Sequence, residues 1–234
     1  ELPGVRLLDP AFDPEHDSLL EISKLAGLLS AAQMNTLEFH TWNATLTSAI
    51  SSINKPDRMT FDLDPGDGVS WPHMQEAASL VRTLVEELGL LPFLKTSGGK
   101  GLHVVIPLKK QHDWDTVKGF SQAIVQHMSQ TIPQRFVAKS GPKNRVGKIF
   151  VDYLRNGFGA TTVSAWSARA RPGMGVSVPL AWDELPGLSS SAQWTVRNIS
   201  ERLPIGNTPW DAYAASARPL TAAMKTMGFK PGKA

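Results

Sequence analysis

Alternation with a period of two is clearest over residues 58–64, where Met59, Phe61 and Leu63 interleave with Thr60, Asp62 and Asp64. This predicts a half-buried strand, ended by Pro65-Gly66-Asp67-Gly68. Residues 70–88 repeat at helical spacing instead. Met74, Ala77, Leu80, Val81, Leu84 and Leu88 fall on one face, Ser70 stands at the N-cap position, Pro72 lies in the first turn and Gly89 follows the end. A second amphipathic helix is expected over 113–130, with Val117, Phe120, Ile124 and Met128 on its apolar side.

Between the two helices, residues 93–97 and 102–107 read as strands around the tight turn Gly98-Gly99-Lys100-Gly101. Residues 149–154 form another apolar run, and 163–168 and 175–179 are further strand candidates. Residues 193–203 and 209–217 are expected to be helical. The first thirty or so residues, punctuated by Asp9-Pro10, Asp13-Pro14 and Gly27, predict an irregular lead-in with a short helix near 19–29. A strand at 37–40 and a polar stretch at 45–54 follow. The tight central hairpin favours a mixed α/β chain (α+β) with a largely antiparallel sheet over a doubly wound parallel one. No internal linker or repeat is evident, so the expectation is a single domain over 1–234.

Composition narrows this picture. The 41% hydrophobic content excludes wholesale disorder, and no apolar run reaches the length of a membrane span. The absence of cysteine excludes disulfides and thiolate metal sites, in keeping with a reducing cytoplasm. A chain opening Glu1-Leu2-Pro3-Gly4 with no initiator Met reads as a piece of something longer. The net charge of +3 is unevenly distributed. Eight Lys/Arg and one acid, Asp152, lie between Arg135 and Arg171, a local balance of +7, while the other sixteen basic and twenty acidic residues give −4. Such a block suits a polyanion, and equally an ordinary solvated surface.

Three constellations carry candidate chemistry. Asp62 and Asp64 share one face of their strand, and two carboxylates so close repel unless a proton or cation lies between them. A divalent ion with hard oxygen ligands would resolve this, although the pair could also cap the turn at Pro65-Gly66. Asp152 weighs toward metal: it interrupts an apolar run, and an isolated desolvated carboxylate there costs on the order of several kcal/mol. Three aspartates from two strands around two metals is the arrangement of phosphoryl and nucleotidyl transfer. The second constellation is Lys95–His103. Its glycines let backbone N–H groups turn toward an anion, and Ser97, Lys100 and His103 add side-chain donors. The spacing is not that of a Walker A loop. The third is the guanidinium set Arg145, Arg155, Arg169 and Arg171, with Lys148, suited to phosphate. Arg169 and Arg171 are expected on one face of a strand. The histidines, His40 among them, show no zinc spacing.

Taken together, Leu37-Glu-Phe-His40-Thr-Trp, Phe61-Asp62-Leu-Asp64-Pro, Lys95-Thr-Ser97-Gly-Gly-Lys100-Gly-Leu-His103, Ile149-Phe-Val-Asp152-Tyr-Leu-Arg155-Asn and Ser167-Ala-Arg169-Ala-Arg171-Pro resemble the polymerase domain of bacterial DNA ligase D, in the archaeo-eukaryotic primase superfamily. The likeness runs from about Leu2 to Trp210. It implies a primase-type core with an RNA-recognition-like sheet flanked by helices. It also implies a nucleotidyltransferase that adds nucleotides, ribonucleotides by preference, to DNA ends during non-homologous end joining. By the match, Asp62, Asp64 and Asp152 would bind two Mn²⁺ (or Mg²⁺) ions. Ser97, Lys100, His103 and Arg169 would hold the triphosphate, and His40, Arg145 and Arg155 would line the nucleotide site. Partners implied are DNA ends, nucleoside triphosphates, the Ku protein and a ligase domain, in a nucleoid-associated, cytoplasmic setting.

The sequence also departs from the family pattern. The family's leading segment, with a Phe-Phe-x-Lys-His-like motif for the DNA end, has no counterpart before Leu2. Trp166 stands where Tyr is usual, and the polar stretch at 45–54 is longer. The competing expectation is therefore a catalytically impaired nucleotide- or nucleic-acid-binding module. An Asp-nucleophile phosphohydrolase is disfavoured by Pro65 directly after Asp64 and by the lack of a downstream Lys and acidic pair.

Overall fold

The computed structural model describes residues 2–13, 17–47 and 50–232. Residues 48 and 49 of the polar stretch at 45–54, and the two ends of the expected 1–234 domain, lie outside the described residues. Backbone contacts divide the chain into two compact units, Glu1–Phe39 and His40–Ala234.

In the first unit, β1 (Val5–Leu7) pairs antiparallel with β2 (Leu20–Ile22), and helix α1 (Leu25–Gln33) follows. The helix expected at 19–29 therefore begins later, because residues 20–22 are taken up by the β1 ladder. Ser30 Oγ donates to the Pro3 carbonyl at 2.8 Å, tying the helix to the chain entering β1.

The second unit is built on a six-stranded sheet. Its strands are β4 (Arg58–Pro65), β5 (Phe93–Thr96), β6 (Leu102–Pro107), β7 (Phe136–Val137), β8 (Ile149–Asp152) and β10 (Pro179–Leu180), in the order β10-β5-β6-β4-β8-β7. Every pairing is antiparallel except β7 with β8. A separate two-stranded ribbon joins β3 (His40–Thr41) to β9 (Thr162–Val163). Helices α2 (Trp71–Glu87) and α3 (Trp114–Thr131) cover one face, and the short α4 (Thr221–Thr226) joins the same core. Asp113 caps α3, its carboxylate accepting from the Thr116 N–H at 2.8 Å.

The alternation read in β4 holds. Met59, Phe61 and Leu63 are fully buried with Leu102, Val104, Ile106 and Val151 beneath the helices, so the even-numbered residues of β4 face the other way. Elsewhere the sequence reading needs correction. The strand expected at 149–154 stops at Asp152, whose Oδ1 accepts from the Leu154 N–H at 2.9 Å and turns the chain into a 3-10 turn, Leu154–Asn156. The strands expected at 163–168 and 175–179 shrink to β9 and β10, with an isolated Ala168–Val176 bridge in the segment between them. Arg169 and Arg171 accordingly lie in a turn, with the Arg171 N–H bonded to the Arg169 carbonyl, not on one strand face. The helices expected at 193–203 and 209–217 are 3-10 turns (Ile199–Glu201, Thr208–Trp210 and Ala214–Ser216). Among the described residues no helix is long and apolar enough to cross a membrane.

Candidate active site

The helix-free face of the sheet carries the chemistry. Lys95 is the register partner of His103, His103 of Asp62, and Asp62 of Asp152. An ammonium, an imidazole and two carboxylates thus stand abreast on one rung across β5, β6, β4 and β8. Asp64 lies two residues along β4 on the same face. Above them opens a cleft of about 450 Å³. Nine of the ten expected site residues line it: His40, Asp62, Asp64, Ser97, Lys100, His103, Arg145, Arg155 and Arg169, joined by Arg171. The tenth, Asp152, is buried under Arg155.

The carboxylates are engaged by basic groups. Arg155 Nε lies 3.0 Å from Asp152 Oδ2 and 4.0 Å from Asp62 Oδ2. Arg145 Nη1 is 3.2 Å from Asp64 Oδ2, and His103 Nε2 is 3.3 Å from Asp62 Oδ1. Burial works against the charge of Asp62, but the His103 donor together with Arg155 and Lys95 holds its carboxyl below the ordinary range. Burial, then the Asp62 charge, pushes Asp64 up to about 6 against the pull of Arg145. Asp152 is also raised by burial, which Arg155 only partly offsets. His103 is lowered by burial, so its imidazole is neutral near pH 7, and its Nδ1 is buried with no hydrogen-bond partner among the described residues.

These features bear on a metal. Three carboxylates crowded on one face, two of them raised by burial and mutual repulsion, are hard-oxygen donors of the kind that Mg²⁺ or Mn²⁺ takes. Guanidinium groups fill the role of counter-charge here, and among the described residues no three His, Asp or Glu side chains are grouped as the ligands of one ion.

The glycine hairpin works differently from expectation. The N–H groups of Gly99 and Gly101 do not face an anion: both donate to Ser97 Oγ at 3.2 Å. The Ser97 N–H is bonded to Ser191 Oγ at 3.0 Å, and Ser191 in turn donates to the Gly101 carbonyl. The glycines serve close packing. Gly98 has φ +66° and lies against the Gly175–Val176 backbone, and a Cβ at Gly101 would fall 2.4 Å from the Leu63 carbonyl of β4. The hairpin is thereby laid directly on the strand bearing Asp62 and Asp64. The cationic side chains beside it are the exposed Lys100 and the guanidinium of Arg169, both lining the cleft, with Arg169 Nη1 donating to the Ser97 carbonyl at 2.9 Å.

Lys95 belongs to the site but was not singled out from sequence. It is buried, its Nζ donates to the Val163 carbonyl and to Ser177 Oγ, both at 2.8 Å, and burial lowers its ammonium to about 7. The available signal was a lone cation inside an apolar strand, the mirror image of Asp152. Ser191, Asn43 and Asn156 had no such signal.

A model of the LigD primase-polymerase domain matches residues 3–210. The chain belongs to this family. Among curated relatives, the multifunctional non-homologous end joining protein LigD of Pseudomonas aeruginosa is 51% identical over 227 residues, covering 96% of this chain and 26% of that protein. LigD of Mycobacterium tuberculosis is 33% identical over 168 residues, 70% of this chain and 22% of that protein. The chain therefore spans about a quarter of the length of these relatives. Among solved structures, the polymerase domain of Mycobacterium tuberculosis ligase D in complex with DNA matches with a TM-score of 0.77 at 29% identity, covering 86% of this chain and 71% of that one. The LigD polymerase fold, a mixed α/β architecture on a mostly antiparallel sheet, is thus the one expected from the motifs.

Proposed function

We propose that this chain is a metal-dependent nucleotidyltransferase that adds nucleotides, ribonucleotides by preference, to DNA 3′ ends in non-homologous end joining, in the bacterial cytoplasm. The observation that carries the reading is the cleft in which Asp62 and Asp64 face Lys100, His103, Arg145, Arg155 and Arg169. A carboxylate cluster ringed by cations suits a triphosphate bound through divalent ions. In this reading Asp62, Asp64 and Asp152 hold two Mn²⁺ (or Mg²⁺) ions. Bound there, the ions would neutralise charge on the triphosphate and would acidify the 3′-hydroxyl. Arg145 and Arg155 release the carboxylates and turn their guanidinium groups to the nucleotide, since an Arg-carboxylate pair and an Arg-phosphate pair use the same planar fork. Lys100, Arg169, Ser97 and His103 hold the phosphates, and neutral His103 contributes as a hydrogen-bonding group, not as a charge. His40, at the mouth on β3, lines the nucleoside end. DNA ends, the Ku protein and a ligase domain are the partners this reading implies.

The test is extension of a gapped or 3′-overhang DNA primer with ribonucleotides and Mn²⁺. Wild type should extend and Asp62→Ala should lose extension by at least about a hundredfold. Equal extension by both sinks the assignment. One observation favours a second reading, a non-catalytic nucleotide- or DNA-binding module: every carboxylate of the site is already paired with a basic or imidazole group. Salt-sensitive DNA binding without extension, unchanged in Asp152→Ala, supports that module instead.

A further inference from the structure

Arg155 reaches Asp152 and Asp62 only because the chain turns back within three residues of the end of β8. That reversal leaves a gap in the sheet. β8 pairs with β4 up to Asp152 opposite Asp62 and then departs, so the N–H and C=O of Thr60, the next position along β4 facing β8, lose a strand partner. The carboxamide of Asn156 takes its place. Asn156 Oδ1 accepts from the Thr60 N–H at 2.8 Å, and its Nδ2 donates to the Thr60 carbonyl at 2.9 Å. Nδ2 also donates to the Tyr153 carbonyl at 3.1 Å, closing the turn, and Oδ1 accepts from Asn43 Nδ2 at 3.1 Å. All four hydrogen-bonding positions of this fully buried amide are used. The second Asn43 Nδ2 proton goes to the Arg155 carbonyl at 3.1 Å, and Asn43 Oδ1 accepts from Thr60 Oγ1 at 3.3 Å.

We infer that Asn43 and Asn156 are positioning residues for Arg155: a side-chain splice that stands in for one rung of sheet and fixes the Arg155 backbone, and with it the point from which the guanidinium reaches the two carboxylates here and the nucleotide in the proposed reaction. The physical case is satisfaction and stiffness. A buried amide with every donor and acceptor paired has one orientation, and a network that loses a member leaves the others unpaired in a low-dielectric interior. Neither asparagine lines the cleft, so each acts only through Arg155 and through the strand end that carries Asp152. The inference deepens the nucleotidyltransferase reading and, as regards catalysis, rests on it.

The experiment is a double-mutant cycle. Asn43→Ala, which removes the clamp on Arg155 while leaving the Asn156–Thr60 bonds in place, is compared in wild-type and Arg155→Ala backgrounds by steady-state primer extension. Asn156→Asp is the second variant, and melting temperature is read for all. A misplaced guanidinium should lower kcat/KM by about 10- to 100-fold, and in the Arg155→Ala background the same substitution should change it by less than about twofold. Equal losses in both backgrounds, or no loss in a folded Asn43→Ala, overturn the inference. A readout independent of chemistry is the ¹⁵N NMR signal of the Arg155 Nε–H. It should be resolved and slowly exchanging in wild type and move to the solvent-exposed arginine position in Asn43→Ala; an unchanged signal overturns the positioning role. If wild type fails to extend primers but the Arg155 signal responds, the reading of function is wrong and the splice stands.

Discussion

Replacing Lys95 with Met tests whether the rung behind the cleft is held together by a buried base. Lys95 is 4% exposed, and burial brings its ammonium from an ordinary 10.5 to about 7. Because the folded value lies below the unfolded one, the unfolded chain binds more protons between pH 7 and 10.5. Stability contributed at this site therefore rises with pH through that window and is flat below it. At about 1.4 kcal/mol per pH unit the full window spans about 5 kcal/mol. Lys95→Met removes the titration and also takes a donor from the Val163 carbonyl and from Ser177 Oγ, which keeps its own bond to the Thr96 carbonyl, a loss of about 1–3 kcal/mol that does not vary with pH. The assay is urea unfolding of both proteins in a chelating buffer at pH 7, 8 and 9, with groups common to both cancelling in the difference. The stability of wild type minus that of Lys95→Met should climb by about 1.4 kcal/mol per pH unit. Parallel profiles would mean that Lys95 stays charged throughout, and the desolvation argument fails.

Two further outcomes follow from the hairpin. Gly101→Ala drives a Cβ into the Leu63 carbonyl at 2.4 Å and should destabilise by about 1–3 kcal/mol, read as a drop in melting temperature; an unchanged midpoint shows that the hairpin is free to lift. Ser191→Ala removes the donor to Gly101 and the acceptor of the Ser97 N–H, and should cost about 1–3 kcal/mol and weaken nucleoside triphosphate binding measured by calorimetry. Retention of both stability and affinity counts against a supporting role for Ser191.

The parts of the fold that were legible in sequence are those where one local pattern decides the outcome. Met59, Phe61 and Leu63 had to face inward, which placed Asp62 and Asp64 together outward. Asp152 and the turn at Gly98–Gly101 announced themselves by interrupting apolar runs. Legibility ended where the partner is distant in the chain. Whether residues 163–168 extend as a strand depends on the lateral partners available, and among the described residues only its two ends pair, Val163 with His40 and Ala168 with Val176. The apolar spacing at 193–217 satisfies 3-10 turns as well as helix. Thr208-Pro209 opens one such turn, and the Arg202–Glu184 pair with an Arg202 bond to the Pro179 carbonyl holds another to β10. Asn43 and Asn156 were invisible because a buried amide and a surface amide read alike until two residues 113 positions apart are folded together. The glycine N–H groups were misread for a related reason: Ser97 lies close enough to claim them first.

The single rung of Lys95, His103, Asp62 and Asp152 also bears on how the chain folds. A slip of β4 by one residue against β6 or β8 would invert its faces, driving Asp62 and Asp64 beneath α2 and α3 and turning Phe61 and Leu63 to water. Each carboxylate stranded there costs on the order of several kcal/mol, more than a lost ladder bond. The acidic pair thus acts as a register lock during assembly: the groups that hold the cleft's charge also make the misaligned sheet the least stable alternative.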